Sequence, residues 1–94
     1  MSVEVVLPGF LADLADGQKH VQVEVGDGGT VAAVLDRLVD GRPVLDRRIR
    51  DETGAVRRFV NVYVDGEDVR FAAGVRTPVV DGAVVHVLPS VAGG

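Results

Sequence analysis

The chain has 94 residues, 47% of them hydrophobic and 26% charged, with a formal net charge of −4. This length fits one domain, which hides roughly 60–70% of its unfolded surface on folding, and the composition is that of a globular protein, not a disordered one. An acidic balance opposes general nucleic-acid affinity, which needs a basic surface; with no cysteine, disulfides, zinc-thiolate sites and iron–sulfur clusters are excluded.

The opening Met1-Ser2-Val3-Glu4 lacks the basic-then-apolar pattern of a signal peptide. No apolar run reaches the ~18–20 residues that cross a bilayer. Both point to a cytoplasmic protein with no membrane partner. Ser2 to Leu7 alternates as a first strand, ended by Pro8-Gly9. Phe10, Leu11 and Leu14 form a short apolar lip before the turn signal Asp16-Gly17. Lys19 to Val25 alternates cleanly, with Val21, Val23 and Val25 on one face. Two strands this close in sequence make an antiparallel hairpin.

Gly26-Asp27-Gly28-Gly29 breaks the second strand, and Thr30 is placed to cap a helix. Val31, Val34, Leu35, Leu38 and Val39 follow at the spacing of a one-faced helix. Asp36, Arg37 and Asp40 fall on the other side, and Gly41 gives a stop. A glycine-rich lead into a helix N-terminus resembles a phosphate cradle. It has neither GxGxxG spacing nor a Gly-Lys-Ser/Thr ending, and Asp27 would repel an anion, so no nucleotide site is expected.

Arg42 to Ile49 predicts a short second helix or turn with Leu45 and Ile49 inward, and Arg50 to Gly54 an exposed loop. Six of the ten basic residues lie between Arg42 and Arg58: Arg42, Arg47, Arg48, Arg50, Arg57 and Arg58. A solvated face partly balanced by Asp46, Asp51 and Glu52 is the simpler reading, with a partner-docking patch the alternative. Arg58 to Val64 has the strongest strand pattern, Asp65-Gly66 a tight turn, and Glu67 to Phe71 a shorter returning strand. Ala72 to Pro78 is a linker, and Asp81-Gly82 a last turn. Ala83 to Leu88 is apolar almost throughout, as a central strand covered on both sides would be.

The order β-β-α-β-β-β, with one apolar hairpin face and one apolar helix stripe, is satisfied by an α+β fold. A mixed sheet wraps one main helix, with the last strand inserted beside the first. This is a β-grasp, or ubiquitin-like, roll over residues 1–90. Residues 91–94 then form a flexible tail leaving a rigid part of the sheet. Four extended residues carry the terminal carboxylate up to about 13 Å, and Gly93 and Gly94, lacking Cβ atoms, fit a narrow slot.

Over nearly its whole length the chain resembles the bacterial ubiquitin-like sulfur carriers of the MoaD/ThiS family. The resemblance rests on Val60-Asn61-Val62-Tyr63-Val64-Asp65-Gly66-Glu67-Asp68-Val69-Arg70, on Asp81-Gly82 before the last strand, and on the Gly93-Gly94 end. Arg58-Phe59-Val60-Asn61, Glu67-Asp68-Val69-Arg70-Phe71 and Leu88-Pro89-Ser90-Val91-Ala92-Gly93-Gly94 are most similar to the actinobacterial carriers of the cysteine pathway. The resemblance implies a protein cosubstrate, not an enzyme. Gly94 would be adenylated by an E1-like enzyme with ATP and converted to a thiocarboxylate, with Gly93 keeping the tail slender. The chain itself would bind no cofactor. The sulfur acceptor implied is a pyridoxal-phosphate-dependent cysteine synthase, with thiamine, molybdopterin or secondary-metabolite pathways as alternatives.

Leu88, Pro89, Val91 and Ala92, as the neighbourhood of the tail, are implied partner contacts. Phe59 and Phe71 are expected mainly in the core, with an apolar docking face as the alternative for both; Phe59 is the one carried forward as a candidate partner contact. Arg58, Glu67, Asp68 and Arg70 are read as rim contacts or local ion pairs. A ubiquitin-like modifier conjugated to lysines is the competing reading. A small enzyme is disfavoured, because no nucleophile–base pair or metal set is recognisable: His20 and His86 each stand alone in a strand pattern.

Overall fold

The computed structural model describes residues 1–89. Their elements run β1 (Ser2–Val6), α1 (Gly9–Ala12), β2 (His20–Glu24), α2 (Val31–Leu38), α3 (Pro43–Ile49), β3 (Val60–Val64), β4 (Glu67–Asp68) and β5 (Val84–Pro89). Five strands form one mixed sheet in the order β2-β1-β5-β3-β4. β1 and β2 pair antiparallel with Val5 opposite Val21, and β1 and β5 pair parallel with Val5 opposite Val85. β3 runs antiparallel to β5, with Val62 opposite Val87. This is the β-grasp arrangement: the last strand lies in the centre of the sheet, beside the first.

The alternation of valine with polar residues decides which face is buried. Val3, Val5, Val21, Val23, Val60, Val62, Val85 and Val87 face inward and form one core with Val31, Val34, Leu35 and Leu38 of α2. Thr30 caps α2, its Oγ1 accepting from the Ala33 amide at 3.4 Å. Two further helices contribute to that core. α1 and the 3-10 turn after it bury Leu11, Ala12 and Ala15, while Phe10 stays outside; the expected lip is a helical one. α3 starts on Pro43, whose fixed φ suits a first helical position, and buries Leu45 and Ile49 completely.

Three expectations are corrected. Glu67 to Phe71 is not a continuous strand: β4 ends at Asp68, whose carboxylate accepts from the Arg70 amide and turns the chain into a 3-10 turn over Val69–Phe71. β5 is central but covered on one face only. Val85 and Val87 are fully buried, whereas Val84 and His86 are half-buried on the outer face. Arg50 does not belong to an exposed loop, because its side chain is only 13% exposed between Asp36 and Asp46.

Two turns fix β5. Asp65 and Gly66 both have positive φ (49° and 89°), the requirement of a two-residue turn between twisted strands. The Asp65 carboxylate then accepts from the Val84 amide at 2.9 Å. At the Asp81-Gly82 turn, Gly82 has φ +84°. Its amide donates to the Ser2 carbonyl, and Asp81 accepts from the Ser2 amide, both at 2.8 Å. The start of β5 is therefore tied to β1 and to the β3–β4 turn.

Candidate functional site at the end of the last strand

The final described ladder pair of β5 is Val60 with Pro89. Proline has no N–H to donate to a ladder, and Pro89 stands opposite the first residue of β3. Leu88, one position earlier, faces outward at 39% exposed, and Pro89 is also exposed. Both therefore sit where the sequence placed partner contacts. Val91, Ala92, Gly93 and Gly94 lie outside the described residues.

The outer face of the sheet carries a row across three strands, Val6, His86 and Tyr63, set by the register. Next to it, Asn61 pairs with Leu88 and Glu4 with Val84. All are half-buried except the more exposed Leu88. The face thus mixes apolar Val6, Val84 and Leu88 with polar Glu4, Asn61, Tyr63 and His86. Asn61 adds a feature the sequence did not single out. Its Oδ1 is inaccessible to solvent and has no hydrogen-bond partner among the described residues. Such an atom costs about 1–3 kcal/mol until a donor reaches it. Only the pairing of β3 with β5 places it there; as one polar residue inside a strand it carried no signal.

Phe59 and Phe71 overturn the expectation of core packing. They are 71% and 84% exposed. The cause is local: Phe59 precedes β3 where the alternation has not begun, and Phe71 ends the 3-10 turn that replaces the expected strand. Phe59 directly precedes Val60, the ladder partner of Pro89, so one exposed aromatic adjoins the last described residue of β5.

The arginines divide into two groups. Arg42 donates to the Leu38 carbonyl and to Asp16, and Arg50 bonds Asp36 and Asp46; both are structural. Arg57 donates through Nε to the Arg47 carbonyl, while Arg47, Arg48 and Arg58 are exposed without an ion pair among the described residues. Arg70 pairs with Asp68 at 3.0 Å. That side-chain bond, followed by the Arg70 amide, holds the Asp68 carboxyl below its ordinary range. Asp51 is lowered in the same direction, first by the Thr53 hydroxyl and then by the Thr53 amide.

The remaining chemistry-bearing groups have structural surroundings. His20 contacts the Glu4 carboxylate on the outer sheet face. Among the described residues, no three His, Asp or Glu side chains converge as a metal site would require. A Cβ on Gly29 would meet the Gly26 carbonyl oxygen at 3.0 Å and Val25 at 3.1 Å, which gives the glycine-rich loop a folding reason. No helix among the described residues is long and apolar enough to cross a membrane.

With this geometry in place, comparison with known proteins is decisive. The model of the ThiS family matches residues 5–94, nearly the whole chain. The chain belongs to the ThiS family. The sulfur carrier protein CysO of Mycobacterium tuberculosis is 41% identical over 96 residues, covering 100% of both proteins. Its crystal structure superposes with a TM-score of 0.81 over 95% of this chain and 99% of that one. The Amycolatopsis orientalis BexX/CysO complex contains a chain matching at 36% identity and TM-score 0.80, over 98% of this chain and 99% of that one. SAMP1 from Haloferax volcanii matches at 32% identity and TM-score 0.83 over 100% of both chains. This ThiS-family chain therefore shares its β-grasp body with proteins named as sulfur carriers.

Proposed function

We propose that the chain is a sulfur carrier of the CysO type, a protein cosubstrate whose C-terminal Gly94 bears the transferred sulfur. The observation that carries this reading is the full-length 41% identity to a protein named as a sulfur carrier, together with a ThiS-family match that includes Gly93 and Gly94. The described geometry supports it. Pro89 is the last described residue of the central strand, Leu88 faces outward beside it, and exposed Phe59 directly precedes its ladder partner Val60.

The chemistry proceeds in two balanced steps. A Gly94 carboxylate oxygen attacks the α-phosphorus of ATP on an E1-like partner, and pyrophosphate leaves. This converts a poor electrophile into an acyl-adenylate with a good leaving group. A sulfide nucleophile supplied by the donor then attacks the carbonyl carbon and AMP leaves, giving a thiocarboxylate. Its sulfur is a soft nucleophile for an acceptor enzyme. A pyridoxal-phosphate cysteine synthase is the proposed acceptor, because the 41% relative is a CysO. The BexX/CysO complex is consistent with carriers of this type engaging partner enzymes.

Within this scheme Gly93 and Gly94 thread the partner's active site. Leu88, Pro89, Val91, Ala92 and Phe59 contact the partner. The test is intact mass after incubation with the cognate activating enzyme, ATP and sulfide. The expected product carries one sulfur in place of one oxygen. Deleting Gly94, or adding a residue after it, should abolish that change while leaving the unfolding midpoint untouched. An extended chain that is still converted without trimming would sink the assignment of Gly94.

A further inference from the structure

One surface is left over by the proposed chemistry. Between the segment leading into β3 and the two 3-10 turns that follow β4 lies a groove of about 230 Å³. Its walls are apolar, with Val56, Val60, Val62, Val69 and Val75 prominent, and Arg57, Arg58 and Arg70 also line it. The volume is below the ~300–1,000 Å³ of cofactor and drug-sized pockets, and it suits one large apolar side chain.

The surroundings of the groove specify what enters it. Exposed Phe59 lies between the lining residues Arg58 and Val60, and exposed Phe71 follows the lining residue Arg70. Arg58 has no ion pair among the described residues, and Arg57 spends only Nε on a backbone carbonyl. The groove's own lining holds three arginines and no carboxylate; Asp68 is matched to Arg70, and Asp51 on the neighbouring loop offsets part of the charge of Arg57. A net cationic rim therefore stands on a protein whose overall charge is −4. Val60, which lines the groove, is also the ladder partner of Pro89, so the groove adjoins the last described residue of β5.

We infer that this groove receives an acidic segment of the activating enzyme, with one aromatic or branched aliphatic side chain inserted among the valines and its carboxylates on Arg57 and Arg58. The groove-lining Val60 pairs with Pro89, which places this surface next to an enzyme that takes in the tail. Apolar insertion ringed by opposite charge gives affinity and register together. The inference rests on the sulfur-carrier reading and adds to it a docking element separate from the tail and from the outer sheet face.

The test is steady-state thiocarboxylation with the cognate activating enzyme, ATP and sulfide, varying the carrier's concentration. Arg57→Glu/Arg58→Glu should raise KM for the carrier by about tenfold or more with kcat unchanged, as loss of docking without loss of chemistry predicts. Raising ionic strength should raise KM for the parent and flatten in the variant. Phe71→Ala, at a residue 84% exposed and outside the proposed tail contacts, should raise KM with an unchanged unfolding midpoint; it tests the same surface should charge reversal disturb Arg57's bond to Arg47. Conversion of the parent with KM unchanged in both variants overturns the groove inference alone. Failure of the parent to be converted overturns the carrier reading and the groove inference together. If deleting residues 90–94 from the free protein shifts the amide resonances of Val69, Gly74 and Val75, the groove holds the protein's own tail, which also overturns the inference.

Discussion

Arg50 is the most informative place to perturb the body of the protein. α2 and α3 have eight and seven residues, too short to persist alone, since isolated helices below ~12–15 residues are marginal. Arg50 ties them: Nη1 donates to Asp36 on α2 at 2.6 Å, and Nε to Asp46 on α3 at 2.9 Å. Burial is the largest single influence on the guanidinium and lowers its pKa, but the bonds to Asp36 and Asp46 together outweigh it and the net shift is upward. A hydrogen bond to a charged group contributes about 1.5–3 kcal/mol when shielded. Here the Asp36 and Asp46 side chains are 66% and 41% exposed, which moves each pair toward the 0–1 kcal/mol of a surface ion pair. Arg50→Ala should therefore cost about 1–2 kcal/mol. For a domain of this size that lowers the unfolding midpoint by about 5–15 °C. Circular-dichroism melts at low and high salt read this directly, and the deficit should shrink with salt. Arg48→Ala, at an exposed arginine with no ion pair among the described residues, should stay within about 0.5 kcal/mol. Equal midpoints for the two variants would refute the clamp.

Other outcomes follow from the same structure. Leu35→Ala, at a fully buried position under the sheet, should cost about 2–5 kcal/mol in chemical denaturation, a large part of a small domain's stability. Gly82→Ala forces a Cβ into φ +84° at the turn that fixes β5; it should cost at least about 1 kcal/mol and raise amide exchange at Ser2 and Ala83. Acid should destabilise the fold through Asp51 and Asp68. Both have folded pKa values below the ordinary 3.8, so their contribution is complete above the unfolded value and is lost as pH falls through the folded ones. Asp68→Asn and Asp51→Asn should each flatten the stability profile below about pH 4; unchanged profiles would show that these carboxylates are not stabilised in the fold.

Where sequence reasoning succeeded, the physics was periodic. The spacing of Val31, Val34, Leu35 and Leu38 admits one buried helix face, and valine alternation admits one buried sheet face. Pro43 and Gly41 mark local backbone needs, and Asp65-Gly66 demands a particular turn. Such signals are carried within a few residues, so the β-grasp body and the family could be read from the chain. The reading failed where tertiary context outweighs local preference. Phe59 and Phe71 are apolar, yet one precedes its strand and the other ends a turn created by the Asp68 carboxylate, so neither meets the core.

What the sequence by itself determined is the body's fold class and its membership in the ThiS family. Those depend on periodicity and on motifs continuous in the chain. Tertiary structure alone decided that Arg50 joins two helices, that Asn61 Oδ1 lies beside Leu88 without a donor among the described residues, and that Arg57, Arg58 and Arg70 line one apolar groove. Each of these brings together groups far apart in the chain, and proximity of that kind is a property of strand pairing and packing, which no local pattern encodes.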